Sequence, residues 1–315
     1  MSLPLFDITL IHSCNNAMAA NYWDSSQARY WTFTKDELVD IRQQIQDANK
    51  SLHIKYELPE RRHMHIYLQQ QIVKLGRRMN LRQQALATAQ IYLRRFYLKV
   101  EIRRTNPYLV MTTAMYLACK MEECPVHIRL ILTEAARQWP ELGVSDISKV
   151  GECEFYLIST LSSQLILHHP YRMLLDIAPQ LSMTAEESAL ASSIINDHYN
   201  TDLPLLHPPH VIAVTAIFLS IVLRPTQSGL QAHSAATSAG AAQGALQQGL
   251  GAISGNKGHG IRVMKLVEWL AESKVDIEAV VDSMQELISL YEVWESYTEK
   301  PCKEAITKFM KDLYH

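Results

Sequence analysis

Glycine is scarce in this chain. Only 11 of its 315 residues are glycine, and eight of those lie between Gly229 and Gly260, in company with eight alanines; the others are Gly76, Gly143 and Gly151. A body so poor in glycine and rich in Leu and Ala favours helix. There is no Asn-Gly or Asp-Gly pair to turn a hairpin, and no G-x-G-x-x-G or Walker loop. Those absences exclude nucleotide-binding α/β enzymes. Cysteine is sparse as well: Cys14, Cys119, Cys124, Cys153 and Cys302, odd in number and without a C-x-x-C pair. That speaks against a disulfide framework or a zinc ribbon and fits a reducing compartment. The longest apolar run, Val211 to Leu223, is too short to span a bilayer, and no basic signal-peptide region opens the chain. Charge is balanced, 30 Lys+Arg against 32 Asp+Glu, which excludes a chain that holds nucleic acid chiefly by charge.

What is present is helical periodicity. Thr34 and Glu37 have capping-box spacing ahead of the stripe Leu38, Ile41 and Ile45. A helix follows from Met64, ending at Gly76, then one through Leu86 to Tyr97, one from Pro107 to about Met121, one over Ile128–Gln138 and one from Asp146 to Leu161. The pattern then repeats. Pro107 to Leu117 lies over Pro209 to Leu219, an offset of 102, with Pro, Thr, Ala and Leu coinciding; the same offset puts Ala87, Ala89 and Tyr97 over Ala189, Ala191 and Tyr199. In both copies the third helix is almost wholly apolar, so each copy is expected to wrap a buried central helix. The expected divisions are a disordered extension at 1–17, an N-terminal segment and helix at 18–59, a first repeat at 60–166, a second at 167–300 interrupted by a low-complexity loop at 225–260, and a C-terminal tail at 301–315.

Few residues suggest chemistry. His168, His169, His207 and His210 sit beside prolines without metal-ligand spacing and read as turn and helix-start residues, so no metal or other cofactor is expected. No catalytic motif suggests an enzyme. The pairs Arg61-Arg62, Arg77-Arg78, Arg94-Arg95 and Arg103-Arg104 read as solvated helix faces. The sharpest feature is Lys120, which ends the buried third helix within Leu117-Ala-Cys-Lys-Met-Glu-Glu123, whereas the matching position of the second copy is Val222. By periodicity alone it could equally be an ordinary C-terminal lysine favoured by the helix dipole.

These residues resemble the cyclin family. The resemblance rests on the two repeats, on Leu-Ala-x-Lys-x-Glu-Glu, and on Asn21-Tyr-Trp-Asp-Ser-Ser26, Leu81 to Ala89, Arg95-Phe-Tyr97, Glu152-Cys-Glu-Phe-Tyr-Leu157, His169-Pro-Tyr-Arg172, Asn196-Asp197, Tyr199 to Leu203, Val275 to Glu278 and Leu290 to Trp294. Within the family it is nearest to the cyclin C group. The resemblance implies an all-α fold of two five-helix cyclin boxes. It also implies a non-catalytic nuclear subunit that binds and activates a cyclin-dependent kinase of the Mediator kinase module in RNA polymerase II transcription. Lys120, Glu154 and Glu123 are the implied kinase contacts. Trp23, Glu122, Asn196 and Asp197 are the implied groove for another subunit of that module, with Ser192 standing where the animal form has tryptophan. Nucleic acid and membrane are not implied partners. Gln71 replaces the tryptophan of the substrate-docking patch of cell-cycle cyclins, so that docking is not expected. A cyclin H-type subunit is the first alternative; a DNA-binding initiation factor with two cyclin folds is the second, against which stand the missing C-x-x-C and the charge of −2.

Overall fold

The computed structural model describes residues 21–140, 144, 146–223 and 257–313. The expected extension at 1–17 and most of the loop at 225–260 lie outside them. Among the described residues there are fifteen α-helices and no strand. A 3-10 turn at Tyr22–Asp24 leads into α1 (Ser26–Tyr30), α2 (Lys35–Ala48) and α3 (Lys50–Lys55). The first repeat contains α4 (Arg61–Arg78), α5 (Gln83–Tyr97), α6 (Pro107–Met121), α7 (Ile128–Gln138) and α8 (Ile147–Thr160). The second contains α9 (Tyr171–Ile177), α10 (Ala185–His198), α11 (Leu203–Leu206), α12 (Pro209–Leu223), α13 (Lys257–Glu272) and α14 (Ile277–Ser296), and α15 (Glu299–Leu313) follows. The repeat register holds at the helix starts: α5 and α10 begin at 83 and 185, α6 and α12 at 107 and 209.

Each repeat is built around its apolar helix. α6 packs against α4, α5, α7 and α8, and α12 against α9, α10, α13 and α14. Both helices start with Pro at the first position, where its fixed φ suits the first turn. Their Thr and Ser hydroxyls are satisfied locally. The Thr113 hydroxyl donates to the Leu109 carbonyl at 2.8 Å, and Thr215, at the matching position, donates to Val211 at the same distance. A Thr in this geometry can therefore sit in an apolar core without an orphaned donor. Two cores result, and Ala87 and Ile91 of α5 belong to the second one, which fastens the repeats together.

Three local expectations change. α4 runs through Gly76 to Arg78, because Gly76 marks a close approach rather than a stop. A β-carbon there would collide with the Leu86 side chain and lie 3.2 Å from Met115 Cε. α13 begins at Lys257, inside the segment expected as loop. The expected tail at 301–315 is a helix over most of its length, and Cys302, Ile306, Phe309 and Met310 of α15 are buried in the core of the first repeat. Glycine's scarcity also has a local consequence. Among the described residues, left-handed turn positions fall to Asn80, Glu123, Ser162, Ser163 and Ser182, each with φ between 51° and 58°.

The N-terminal segment lies across the seam between the repeats. Phe33 N donates to Leu205 O at 2.8 Å, Trp31 Nε1 to Gln164 Oε1 at 2.6 Å, and His168 N to Gln27 Oε1 at 2.7 Å. A buried ion cluster completes the joint. Asp202, just before α11, accepts from Arg94 at 2.7 Å and Arg42 at 2.8 Å, while Arg94 also donates to Tyr199 O at 2.9 Å. Burial would raise the Asp202 carboxyl, but Arg94, His65 and Arg42 hold it well below the usual range.

Gly76→Ala should lower stability by about 1–3 kcal/mol, the cost of forcing a methyl into a packed crossing; urea unfolding will read it. Asp202→Asn should cost about 3–5 kcal/mol, since it strands the buried Arg94 guanidinium. Because the folded carboxyl titrates below its unfolded value of 3.8, its contribution is complete above that pH and is lost as pH falls below it. Urea midpoints measured across that range should fall less steeply for the variant than for the parent.

Candidate functional site

α6 is buried along nearly its whole length and reaches solvent at Lys120. There the Lys120 ammonium donates to both carboxylate oxygens of Glu154 on α8, at 2.7 and 2.9 Å, and lies 4.2 Å from the Tyr116 ring centroid. Partial burial works against the lysine charge, but the Glu154 carboxylate, with the Tyr116 phenol group, outweighs it and holds its pKa above the ordinary value. The lysine side chain is 41% exposed and that of Glu154 15%. The pair is therefore fixed yet reachable: each partner keeps hydrogen-bonding capacity for an incoming main chain. Beyond it the chain turns through Glu123 in the left-handed conformation, and Cys124 N closes the helix end on Cys119 O at 3.0 Å. Glu123 is exposed. The matching end of α12 presents Val222, also exposed and without charge.

The pair sits beside apolar surface. Ile147, Gly151, Glu154 and Phe155 recur at helical spacing along α8 and share one face. Phe155 is 76% exposed, and Tyr156 and Ile147 are exposed as well; nothing lies within 4 Å of a β-carbon placed on Gly151. An exposed aromatic, a flat glycine and a prepaired cation and anion make a face suited to a protein partner.

The four residues expected to form one groove separate into three settings. Glu122 and Asn196 belong to one polar cluster between the repeats, in which the Tyr171 and Tyr199 rings lie 6.5 Å apart. Thr88 Oγ1 lies 2.6 Å from Glu122 Oε1 and 2.8 Å from His169 Nε2, His169 Nδ1 lies 3.0 Å from the Tyr199 hydroxyl, and Tyr171 donates to Asn196 at 2.8 Å. Burial would raise the Glu122 carboxyl, but His169 and Thr88 hold it below its ordinary value. Asp197 is only 5% exposed and accepts from the Tyr291 hydroxyl at 3.3 Å, so it faces the α14 side of the second repeat and does not line a surface. Trp23 is 57% exposed and rests against Tyr22 and His210, with ring centroids 5.2 and 5.6 Å away.

The histidines and arginines also find their places. His207 pairs with Asp282 at 3.0 Å, and among the described residues no group of three His, Cys, Asp or Glu side chains is arranged to hold a metal ion. The reading of the arginine pairs as solvated faces fails for Arg94, Arg95 and Arg103, which are buried. Arg103 pairs with Glu101 at 2.6 Å. Arg95 lies 4.6 Å from the Trp31 ring centroid and burial pushes its pKa down to about 9. Gln71, expected to disable a docking patch, is buried: it donates to Glu299, the first residue of α15, at 2.9 Å and accepts from Trp139 at 3.0 Å.

Comparison with known proteins agrees with this architecture. Residues 30–166 match the cyclin N-terminal domain. The chain is 56% identical over 296 residues to an RNA polymerase II holoenzyme cyclin-like subunit of Aspergillus oryzae, covering 93% of this chain and 98% of that one. It is 48% identical over 339 residues to the Neurospora crassa protein of the same description, with the same coverage of each. Among solved structures it is similar in fold to a chain of the CAK complex of Chaetomium thermophilum, with a TM-score of 0.60, 18% identity, and 93% of this chain and 88% of that one covered. A chain of the yeast TFIIK complex gives a TM-score of 0.54 at 19% identity, covering 86% and 100%. With its two helical repeats and nearly full-length relatives, the chain belongs to the cyclin family, among the RNA polymerase II holoenzyme cyclin-like subunits.

Proposed function

We propose that this cyclin is the regulatory subunit of a cyclin-dependent kinase of the Mediator kinase module, acting in the nucleus on RNA polymerase II transcription and having no catalytic activity of its own. The observation that carries the reading is the Lys120–Glu154 pair at the end of α6, flanked by Phe155 and Tyr156. A kinase helix seated there would offer main-chain carbonyls to Lys120 and amides to Glu154, with Glu123 at the edge. The cyclin would bind the active arrangement of the kinase better than the inactive one and stabilise it by that difference. Pairing the charges in advance limits the desolvation cost when the interface closes over them. The resemblance of the Asn21-Tyr-Trp23 segment and of Glu152 to Leu157 to the cyclin C group supports the Mediator assignment. Trp23 and Glu122 would serve contacts with a further module subunit.

Replacing both Lys120 and Glu154 by alanine should weaken kinase binding by about 2 kcal/mol or more, roughly thirtyfold, with helix content unchanged. Lys120→Ala alone should be at least as harmful as the double variant, because it leaves Glu154 unpaired under the kinase. Pull-down titrations with circular dichroism will test this; unaltered affinity removes the pair from the interface. Trp23→Ala should spare kinase binding and weaken recovery of the other module subunits in affinity purification. If the parent chain instead recovers the kinase of a CAK or TFIIK assembly, the Mediator assignment fails while the cyclin role stands.

A further inference from the structure

Between α2, the start of α4 and α5 lies a cleft of about 560 Å3, a volume in the range of sites that hold compact ligands (about 300–1,000 Å3). None of the residues assigned above to partner docking lines it. Its polar wall carries the guanidinium groups of Arg42, Arg61, Arg62 and Arg94, with His65 among them. Their nearby carboxylates are few. Asp202 serves Arg94 at 2.7 Å, Arg42 at 2.8 Å and Arg61 at 3.7 Å, and Glu286 serves Arg62 at 3.0 Å. Four cations thus meet two carboxylates, and even with the exposed Glu60 at the rim the balance stays positive. Arg103, in the same cleft, is matched by Glu101 with His53 alongside, and Lys35 by Asp282 on the far side of Arg42.

The surplus affects the side chains themselves. Burial and the neighbouring Arg42 and Arg61 lower Arg94 to about 10 despite the pull of Asp202, and burial and Arg42 lower Arg61. A further donor lines the same wall. His65 Nδ1 accepts from Arg94 at 3.0 Å, which places the imidazole proton on Nε2. The N-cap of α4, Glu60, makes no side-chain capping bond, so the positive end of an 18-residue helix adds to the field. Guanidinium forks match the oxygens of a phosphate monoester, and a dianion would relieve the crowding of like charges. Part of the lining is an apolar wall of Leu58, Met64, Leu68, Leu98 and Ile102. A free ion would leave that wall uncovered; a phosphorylated side chain on an extended peptide would engage both.

We propose that this cleft binds a phosphoserine or phosphothreonine within an extended peptide, Arg61 and Arg42 holding the phosphate and the apolar wall taking the flanking residues. The site stands whichever kinase the chain partners. It would tether the cyclin to proteins that are already phosphorylated.

The test is fluorescence anisotropy on the full chain with a labelled degenerate phosphoserine peptide library and the same library unphosphorylated. The phosphorylated library should bind about tenfold more tightly or better, a difference of roughly 1.4 kcal/mol. Arg61→Gln, at a half-exposed residue with one long ion contact, should remove most of that preference without altering the melting temperature. Arg77→Gln, an exposed charge-matched control, should leave it intact. Arg42→Gln should weaken binding as well, with unfolding measured alongside because it also serves Asp202. Equal binding of the two libraries, or full binding by Arg61→Gln, overturns the site. Inorganic phosphate binding as tightly as the peptide would reduce it to an anion site. Displacement by single-stranded RNA more readily than by phosphopeptide would make it a polyanion surface instead.

Discussion

A helix with no polar face must be covered on every side, and that constraint organises this protein. α6 and α12 cannot meet water along their length, so each recruits a shell of neighbours and the chain becomes two helix clusters. The shells are joined by α5, which contributes to both cores, and by the N-terminal segment laid across the seam. The same constraint locates the functional candidate. A buried helix offers its surroundings little but its ends, and the end of α6 carries a lysine locked to a carboxylate where the second repeat has Val222. The duplicated architecture supplies the scaffold, and a single difference between the copies supplies the candidate docking point.

Polar groups inside the molecule serve position more than strength. Arg94, Arg42 and Asp202 meet from three parts of the chain and fix how the second repeat sits on the first. Such clusters gain little net stability over apolar packing but penalise any arrangement that parts them. The chain of Glu122, Thr88, His169 and Tyr199 does similar work nearer the end of α6. Both lie between the repeats, where a small shift would leave several buried groups without partners.

Much of this was legible in the sequence, for physical reasons. Periodicity and capping are local, so α6 and α7 appear with the expected bounds, and the Thr34–Glu37 capping box is present with both of its bonds. In the sequence Gly76 reads as a stop and in the fold it is a close approach, because glycine's lack of a side chain serves both purposes. The spacing of Cys302, Ile306, Phe309 and Met310 carries an amphipathic signal that the expectation of a tail overlooked. The buried arginines could not be read in the same way. Arg94 and Arg95 look like solvent-facing pairs until a carboxylate more than a hundred positions away and the face of Trp31 provide them with partners. The groove residues mix both cases: Trp23 is as exposed as its position near the start suggests, while Asp197 turns inward because Tyr291 waits there.

The placement of α15 has a consequence for the order in which the molecule can form. Its apolar side chains complete the core of the first repeat, yet Cys302 is made 141 positions after Leu161, the last residue of that repeat's core contributed by the region of α8. At usual rates of synthesis the gap lasts on the order of ten seconds. Throughout that interval the first repeat stands on the ribosome with one flank of its core open, while the second emerges beside it. The first repeat is thus closed by a helix that follows the second, and the two mature together although each is wrapped around its own central helix.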